Sequence, residues 1–391
     1  RLAMSEIDRI TKITDRAGTG APNFTNGVNF AGSDSGISPH THTEGNTEPS
    51  SPSNGDTWWD SDNDIYKVYM NNEWKDWLGA SSGGAAWYGD RGVFAGGDEG
   101  SATDRIQYID ISTPGNSTDF GNLLENRRYA SGTSNASRGL NIGGYTNSSA
   151  GTVDIQYVTI STPGNSQDFG DLQAAHYYYG SSCSDGTKAF TFAGYSSNGI
   201  LNNIQQTVIA TTGNSTDFGD VSLFSYYNAS CSDATRAVCA IGRTRASSTS
   251  GSLTYQNTME YITTATAGNT TDFGDLTETR GQFTGTSDTT RGLFLGGMKS
   301  NNVRTNTIDY ITIQTTGNAT NFGDLSKNNS RGAACSNSTR GIIGGGYTTT
   351  GGNTRVNTIE YVTIQTTGNV TDFGDLAAVN YGLAAFSGNA S

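Results

Sequence analysis

Short stretches in which apolar and polar residues alternate occur along most of the chain. Residues 156–160, for example, read Gln-Tyr-Val-Thr-Ile, a pattern typical of a β-strand with one buried face. Glycine recurs at fixed places between these stretches, where it supplies the positive φ angles that tight turns need. The pattern therefore predicts an all-β protein made of short strands joined by turns.

One block of these stretches occurs six times from Arg91 onward. Its most regular feature is an Asp-Phe-Gly-like element, whose phenylalanines are Phe120, Phe169, Phe218, Phe273, Phe322 and Phe373. The successive intervals between them are 49, 49, 55, 49 and 51 residues. Each block holds four strand-length segments, and four strands in such a period are typical of one β-propeller blade. We therefore predict a six-bladed β-propeller over residues 85–391.

The two ends of the repeat region suggest how the ring closes. Residues 381–387 align with the first strand of a block, although no further block follows them in the sequence. The first block, which begins near Trp87, has no such strand clearly before it. We expect the C-terminal strand to complete the first blade, because joining the ends of the ring removes exposed strand edges.

Two further features recur with the same period. A glycine doublet follows the second strand at Gly96-Gly97, Gly143-Gly144, Gly296-Gly297 and Gly345-Gly346. A tyrosine occupies the third strand at Tyr108, Tyr157, Tyr261, Tyr310 and Tyr361. With the closing hydrophobic element, these positions resemble kelch repeats. Phenylalanine stands where kelch repeats usually have tryptophan, and the third block has Ala193-Gly194 for the doublet and Thr207 for the tyrosine.

Most of the repeated residues are explained by architecture. The Asp-Phe-Gly motif recurs without the catalytic loop of a kinase, so we expect each phenylalanine to pack between blades. A basic residue opens the second strand of each block, at Arg91, Arg138, Lys188, Arg236, Arg291 and Arg340. Because these residues share a face with the Asp-Phe-Gly loops, we predict a ring of Arg–Asp pairs. The alternative is that these residues form surface ion pairs that contribute little to stability.

Cysteine and asparagine follow the same period. Cys183, Cys231 and Cys335 fall at equivalent first-strand positions, which predicts free buried thiols rather than disulfides. Only Cys231 and Cys239 could face each other across one hairpin. Asn-x-Ser/Thr sequons recur at one repeat position, at Asn116, Asn214, Asn269, Asn318 and Asn369. This recurrence favours a role in turns over glycosylation.

Composition and charge narrow the class of function. The chain has a formal net charge of −13, and only 15% of its 391 residues are charged. Nucleic-acid binding depends on basic surfaces that neutralise phosphates, so we expect no nucleic-acid partner. The sequence contains no apolar run of the length that a membrane span requires. Four cysteines and three histidines leave little material for a metal enzyme, and we predict no cofactor.

Residues 1–80 differ in character from the repeats. Residues 1–32 contain isoleucines spaced for a short helix or coiled-coil start, residues 33–54 form a Ser/Pro/Thr-rich linker, and residues 55–80 predict a three-stranded meander. The Gly-Thr-Gly-Ala-Pro-Asn-Phe stretch and the Gly-Asp-x-Trp meander resemble attachment and spacer modules of bacteriophage tail fibres and other virion proteins. The resemblance implies that residues 1–80 bind other virion or appendage proteins.

The first of these segments is too short to bury a core alone. We therefore expect neighbouring chains to cover its apolar residues. These residues are Ile7, Ile10, Ile13, Phe24, Val28 and Phe30.

Two groups of residues in this region have the spacing of metal ligands. His40 and His42 form a His-x-His pair, and some phage fibres that the chain resembles hold a metal on a threefold axis with such pairs. A homotrimer could then supply six imidazoles, whereas two solvated histidines are the alternative. Asp60, Asp62 and Asp64 have the spacing of a calcium loop, but the glycine and glutamate of an EF-hand are absent. A turn that holds three acids is the alternative there.

The candidate ligand-binding residues lie on the loops from the fourth strand of one block to the first strand of the next. Kelch pockets lie at this position, so the resemblance implies a central mouth lined by tyrosine and arginine. The candidates are Arg127, Arg128, Tyr129, His176, Tyr177, Tyr178, Tyr226, Tyr227, Arg280, Arg331 and Tyr381. Tyrosine offers flat apolar area and arginine a planar fork, which suit sugar rings or acidic groups. Strand alternation leaves an alternative, in which half of them pack between blades.

These features predict a structural virion protein, a phage fibre or appendage, whose propeller binds a host-surface receptor or glycan. The predicted location is the virion, outside the cell. A bacterial extracellular adhesin or surface-filament subunit is the alternative. A polysaccharide-active enzyme is the third hypothesis, which we do not favour. A copper-radical oxidase needs clustered Tyr, His and Cys ligands, and a glycosidase needs two facing carboxylates, whereas the acids here lie mainly on repeat turns.

Overall fold

The computed structural model describes residues 42–45, 47–53, 56–60, 65–70, 73–76, 88–147, 151–173, 180–349 and 354–390. These residues form strands and turns with no helix among them, which confirms the all-β prediction. This part of the chain therefore contains no helix long and apolar enough to cross a membrane. The chain divides into two compact units, Arg1–Ser82 and Gly83–Ser391.

The described part of the first unit is a small sheet. Its strands are β1 (His42–Gly45), β2 (Thr57–Asp60), β3 (Ile65–Met70) and β4 (Glu73–Asp76). Strands β2 to β4 form the expected antiparallel meander, but β1 pairs in parallel with β2. The segment predicted as a polar linker, residues 33–54, therefore contributes one strand to the sheet. Trp58 Nε1 in β2 donates to Gly45 O in β1 at 3.0 Å. The Trp58 side chain therefore helps to hold β1 in the sheet.

The second unit contains all the repeats. Its strands are β5 (Arg91–Ala95), β6 (Thr103–Asp110), β7 (Thr118–Arg128), β8 (Ser131–Ser134), β9 (Arg138–Ile142), β10 (Tyr145–Thr146), β11 (Asp154–Thr159), β12 (Gln167–Asp171), β13 (Ser181–Ser184), β14 (Lys188–Ser196), β15 (Gly199–Val208), β16 (Thr216–Asp220), β17 (Phe224–Tyr226), β18 (Ala229–Ser232), β19 (Arg236–Ala240), β20 (Arg243–Arg245), β21 (Thr254–Tyr255), β22 (Thr258–Thr263), β23 (Thr271–Asp275), β24 (Thr284–Ser287), β25 (Arg291–Leu295), β26 (Thr307–Thr312), β27 (Thr320–Asp324), β28 (Asn329–Ser330), β29 (Ala333–Ser336), β30 (Arg340–Gly344), β31 (Tyr347–Thr348), β32 (Thr354–Thr363), β33 (Thr371–Asn380) and β34 (Ala384–Gly388).

Among the described residues of this unit, six antiparallel sheets each contain four of the longer strands. We number them sheet 1 (β34-β5-β6-β7), sheet 2 (β8-β9-β11-β12), sheet 3 (β13-β14-β15-β16), sheet 4 (β18-β19-β22-β23), sheet 5 (β24-β25-β26-β27) and sheet 6 (β29-β30-β32-β33). The first strand in each order is its inner strand. The remaining short strands pair within the loops beside these sheets.

The inner strands lie next to one another in cyclic order, from sheet 1 through sheet 6 and back to sheet 1. The C-terminal strand β34 pairs with β5 in the register Ala384↔Ala95 to Gly388↔Arg91, which confirms that it completes the first sheet. A serine near the end of each inner strand adds hydrogen bonds between sheets. Ser134 Oγ donates to Ser387 O at 2.7 Å. The same bond runs from Ser387 to Ser336, Ser336 to Ser287, Ser287 to Ser232, and Ser232 to Ser184.

The hydrophobic core consists of layers between neighbouring sheets. Phe120 of sheet 1 packs with Val158 and Ile160 of sheet 2, and Phe373 of sheet 6 packs with Phe94 of sheet 1. Equivalent layers join the other neighbouring pairs. The Asp-Phe-Gly phenylalanines are only 2–3% exposed, so the prediction that they pack between sheets is confirmed.

The Gly-Asn turns also join sheets. Asn116 Oδ1 accepts a hydrogen bond from Asp375 N at 3.0 Å. The same bond is made by Asn165, Asn214, Asn269, Asn318 and Asn369. A Cβ on Gly374, where φ is 149°, would lie 2.4 Å from Gly115 O, so only glycine permits this approach. The asparagines have a structural role, as predicted, but the role links two sheets rather than closing one turn.

The basic residue that opens each second strand reaches the next sheet. Arg91 Nη1 donates to Ile160 O at 2.9 Å and Ser161 O at 2.7 Å, and its guanidinium lies 4.8 Å from the ring centre of Tyr108. The stacking and a carbonyl contact recur at Arg138, Arg236, Arg291 and Arg340. The predicted ring of Arg–Asp pairs is wrong, because the stacked guanidinium is directed at carbonyl groups where the neighbouring third strand ends.

Sheet 3 departs from this arrangement. Lys188 replaces the arginine, and its Nζ donates to Thr264 O at 3.3 Å. Gln206 lies opposite Phe190, which is the position of the tyrosine, so the assignment of Thr207 to that position is wrong. Counting back from Phe218 by the interval that separates Tyr157 from Phe169 also reaches Gln206. Its Oε1 is buried without a hydrogen-bond partner.

Restoring the stacked pair in sheet 3 should stabilise the protein. We expect Lys188→Arg combined with Gln206→Tyr to raise the free energy of unfolding by about 1 kcal/mol, because it adds a cation–π contact and removes an unpaired buried acceptor. Urea unfolding of the double variant and both single variants would measure the coupling. A double variant no more stable than the sum of the single variants would contradict a specific Arg–Tyr interaction.

All four cysteines are buried free thiols, as predicted. Cys231 lies opposite Val238, and Ser230 lies opposite Cys239, so the two cysteines of this hairpin are not directly paired. Burial raises the pKa of both Cys183 and Cys335 to about 12. Because the thiolate is the reactive form, burial makes these two thiols less reactive than an exposed cysteine.

Candidate functional site

The residue two positions before an inner strand has a left-handed backbone conformation. These residues are Tyr129 (φ 61°), Tyr227 (φ 62°), Gln282 (φ 60°), Arg331 (φ 61°) and Gly382 (φ 67°). Each lies nine residues after the Asp-Phe-Gly phenylalanine of the preceding sheet. We call these five residues the mouth ring.

Backbone hydrogen bonds connect the mouth ring. Tyr129 N donates to Gly382 O at 2.6 Å, and Gly382 N donates to Arg331 O at 2.8 Å. Arg331 N then donates to Gln282 O at 2.8 Å, and Gln282 N donates to Tyr227 O at 3.1 Å. Each N–H of these four residues is therefore engaged by another member of the ring. A ligand would therefore contact the side chains of the mouth ring rather than these N–H groups.

The left-handed conformation is costly for most of these residues. A residue with a Cβ loses about 1–2 kcal/mol there, whereas glycine adopts the conformation freely. Gly382 shows that glycine can occupy the position. Tyrosine, glutamine and arginine nevertheless hold the other four described positions, and such strain is concentrated at functional sites.

The mouth ring surrounds a cavity of about 100 Å³, whose walls are formed by the inner strands. Small residues leave this space open, among them Ser131, Ser182, Ser230, Gly285 and Ala334. The cavity has room for several water molecules or one short polar substituent of a larger ligand.

Arg331 extends over the opening. Its Nε donates to Gln282 Oε1 at 2.8 Å. The guanidinium carbon lies 6.0 Å from the ring centres of both Tyr129 and Tyr227 and 5.6 Å from that of Tyr381. Because Tyr129 precedes sheet 2, Tyr227 precedes sheet 4 and Arg331 precedes sheet 6, the guanidinium reaches residues from different sides of the cycle.

Asp98 holds two more arginines beside the mouth. Its carboxylate is 2% exposed and accepts hydrogen bonds from Arg128 and from Arg355, the latter at 3.0 Å. The hydroxyl of Tyr381 donates to the same carboxylate at 3.2 Å. Burial opposes the charged form, but hydrogen bonds from Gly100 N and Arg128, together with nearby positive charge, lower the pKa of Asp98 below its ordinary value.

Arg304 adds a fourth guanidinium. Its Nε donates to Ser330 Oγ at 3.1 Å, and it lies 4.6 Å from the ring centre of Tyr347. Burial and the positive charge of Arg331 lower the pKa of Arg304. Because the positive charges of Arg304 and Arg331 repel each other, a bound anion would stabilise the pair.

Arg127 and Arg280 do not line the mouth, although the sequence predicted that they would. Both side chains are fully buried. Arg127 Nη2 contacts Glu125 at 2.7 Å and Asp154 at 3.3 Å, and Arg280 Nη2 contacts Asp309 at 3.0 Å. These arginines stand two residues before the mouth ring, where they are directed into the interior.

The remaining predicted residues fall into two groups. Tyr226 is 8% exposed and packs behind Tyr227, with ring centres 4.5 Å apart. Its role is therefore to support the ring rather than to line the mouth. His176, Tyr177 and Tyr178 lie outside the described residues.

Several residues at the site were missed by sequence reasoning. Gln282 could have been found, because it has the same offset from Phe273 as Tyr129 has from Phe120. Asp98 and Arg304 lie on loops between the second and third strands, and Arg355 is the second residue of β32, directly after another such loop. The lengths of these loops vary, so no repeat position marks them.

No protein-family model matches the sequence, and no curated protein matches it. The chemistry proposed for the mouth therefore depends on the geometry of the mouth itself.

The predicted metal sites are largely outside the described residues. This applies to His40, Asp62 and Asp64, while His42 begins β1 and Asp60 ends β2. Within the described part of the chain, no group of three or more His, Cys, Asp or Glu residues is arranged to hold a metal ion. The metal hypotheses for the two groups stay predictions.

Proposed function

We propose that residues 85–391 form a kelch-like six-bladed β-propeller. The cyclic order of the inner strands and the pairing of β34 with β5 support this architecture. The glycine doublets and the stacked Arg–Tyr pairs, which recur once per sheet in most sheets, support the resemblance to kelch repeats.

We propose further that this propeller binds a host-surface receptor or glycan at the mouth ring. The observation that carries the proposal is the left-handed conformation of Tyr129, Tyr227, Gln282 and Arg331. Glycine would remove the strain at each position. Retaining large polar and aromatic side chains there is explained if those side chains contact a ligand.

The assembly that carries the propeller is proposed from the sequence. Residues 1–80 resemble fibre attachment modules, so we propose a phage fibre or appendage protein located on the virion, with a homotrimer as one form of assembly. Ile7, Ile10, Ile13, Phe24, Val28 and Phe30 would contact neighbouring chains, and all six lie outside the described residues. The protein would act by binding, without catalysis or a cofactor.

Binding of the full chain to envelope preparations from candidate host bacteria tests the proposal. We expect saturable binding to the host envelope and a loss of about three- to tenfold in affinity for Tyr227→Gly, because a flat contact surface is removed. The melting temperature of this variant should change little, since glycine relieves the strain at φ 62° while the packing of one ring is lost.

Ala136→Gly is the matched control, because Ala136 has φ 67° and lies outside the mouth ring. It should bind the envelope as the parent chain does. Absence of envelope binding by the parent chain, or full binding by Tyr227→Gly, would overturn the role of the mouth. Immunogold labelling of bacterial filaments instead of virus particles would favour an adhesin or filament subunit.

A further inference from the structure

We infer that the mouth ring binds the carboxylate of an acidic sugar, with Arg331 as its anchor and tyrosine rings as its walls. The inference rests on the proposed function, which it narrows to one class of glycan. It depends on four features of the mouth: the orientation of Arg331, the size of the cavity, the aromatic rim and the distribution of charge.

Arg331 is positioned for a planar anion. Its Nε is bound by Gln282 Oε1, so the guanidinium is fixed through one edge. Bidentate recognition of a carboxylate uses two parallel N–H groups of the same planar fork. The strain of Arg331 and Gln282 at φ 61° and 60° is then explained together, because one residue binds the ligand and the other orients it.

The cavity admits a substituent rather than a whole sugar ring. Its volume is about 100 Å³, which corresponds to a few water molecules. Small residues such as Ser131, Ser182 and Gly285 line this space, which suits a compact substituent such as a carboxylate.

The rim suits a pyranose ring. Tyr129 and Tyr227 lie at equal distances from the Arg331 guanidinium, and both side chains are half-buried. A sugar that inserts its carboxylate would place apolar C–H faces against these rings. Hydroxyl groups at the ring edge would meet the phenolic tips.

The charge distribution favours an anionic ligand. Among the described residues, Arg128, Arg304, Arg331 and Arg355 place guanidinium groups near the mouth, and Asp98 binds two of them. The protein as a whole has a net charge of −13, and much of this charge lies far from the mouth, on the outermost strands. Asp217 and Asp220 of β16 are examples. A basic mouth on an acidic protein attracts anions locally.

A sugar fits the site better than an acidic peptide. A bound peptide needs partners for its own backbone N–H and C=O groups. Four of the five backbone N–H groups of the mouth ring are bonded within the ring. A sugar needs only side-chain contacts of the kind that the rim provides.

Calorimetric titration of the full chain with defined oligosaccharides tests this inference. The probes are tetragalacturonate, its methyl ester, neutral galactotetraose, a sialic-acid tetramer and polyglutamate. We expect binding of the uronate or the sialic-acid probe, with affinity falling as NaCl rises from 50 to 500 mM. Methyl esterification should weaken uronate binding at least tenfold, since the ester has no charge.

Substitutions identify the anchor. Arg331→Gln should weaken binding of the acidic probe at least tenfold, and Arg331→Lys about threefold, because lysine keeps the charge but loses the planar fork. Lys327→Gln is the matched control: it removes one positive charge from an exposed residue outside the mouth, and binding should not change. Melting temperatures of all variants show whether the fold is retained.

The outcomes separate the inference from the proposed function. No binding of either acidic probe, equal binding of the ester, or full binding by Arg331→Gln overturns the inference. Equal binding of polyglutamate would indicate an acidic-peptide site and would also overturn it. Envelope binding that does not depend on Arg331 would leave the proposed function standing and refute only the acidic-sugar anchor.

Discussion

Removing the C-terminal strand should abolish the native fold. A chain that ends at Leu383 lacks β34, so β5 loses its partner over the five residue pairs from Ala384↔Ala95 to Gly388↔Arg91. Phe386, which is 4% exposed, leaves the core between sheets 1 and 2. Truncating one buried phenylalanine to alanine costs about 3–5 kcal/mol. Loss of the whole strand should therefore approach the total stability of a typical domain, about 5–15 kcal/mol.

We expect the truncated chain to be insoluble or to show no cooperative thermal transition by calorimetry. A chain that ends at Asn389 is the control, because it keeps the hydrogen bond from Asn389 N to Ala136 O at 2.7 Å. Phe386→Ala should remain folded with lower stability in urea. Adding a peptide of residues 381–391 should restore a cooperative transition to the truncated chain. A truncated chain that melts like the parent would refute closure by β34.

The buried ion pair in sheet 5 gives the second large effect. The side chains of Arg280 and Asp309 are both fully buried, with Nη2 and Oδ2 3.0 Å apart. Asp309→Asn removes one charge and leaves the guanidinium in the interior, where Glu278 at 3.4 Å is a longer contact. Breaking one side of a buried pair costs about 3–5 kcal/mol. Urea unfolding should show a loss of this size.

The repeats supply a matched compensating variant. The positions of Arg280 and Asp309 are held in sheet 1 by Asn380 and Gln107. Asn380 Nδ2 donates to Gly96 O at 3.0 Å, and Gln107 Oε1 accepts from Ala377 N at 2.9 Å. Arg280→Asn combined with Asp309→Gln should therefore recover most of the lost stability, because no uncompensated charge stays buried. A double variant as unstable as Asp309→Asn would contradict this explanation.

The period of the sequence predicted the strands of the repeats because each sheet solves the same packing problem. Phe120 and its equivalents had to be buried, and the C-terminal strand had to find a partner. The partners of polar groups were harder to predict. The sequence analysis paired Arg91 with an aspartate, but Arg91 binds the backbone carbonyl groups of Ile160 and Ser161. Every residue of every protein has such a carbonyl group. A backbone acceptor therefore cannot be recognised from the type of residue that carries it.

The candidate site was predicted in part for a related reason. Tyr129, Tyr227 and Arg331 were named because they occupy a repeat position of large polar residues. Arg127 and Arg280 were named from the same aligned loops, although their offset from the phenylalanine is shared with Ser225, Asn329 and Asn380, which are all buried. The small polar residues at this offset were the available sign of an interior position. Asp98 lies on a loop of variable length, and Arg355 follows another such loop at the start of β32, so periodicity marks neither position.

The pairing of β34 with β5 also affects how the protein is made. Ala95 and Ala384 are partners, so the chain between them must be synthesised before sheet 1 can acquire its inner strand. At the usual rate of translation this takes roughly 15–60 s. During that time the nascent chain presents β5 as an open edge. Neighbouring chains on one messenger could exchange their last strands and become linked dimers or trimers. We therefore expect strand exchange to increase with the local concentration of nascent chains during synthesis.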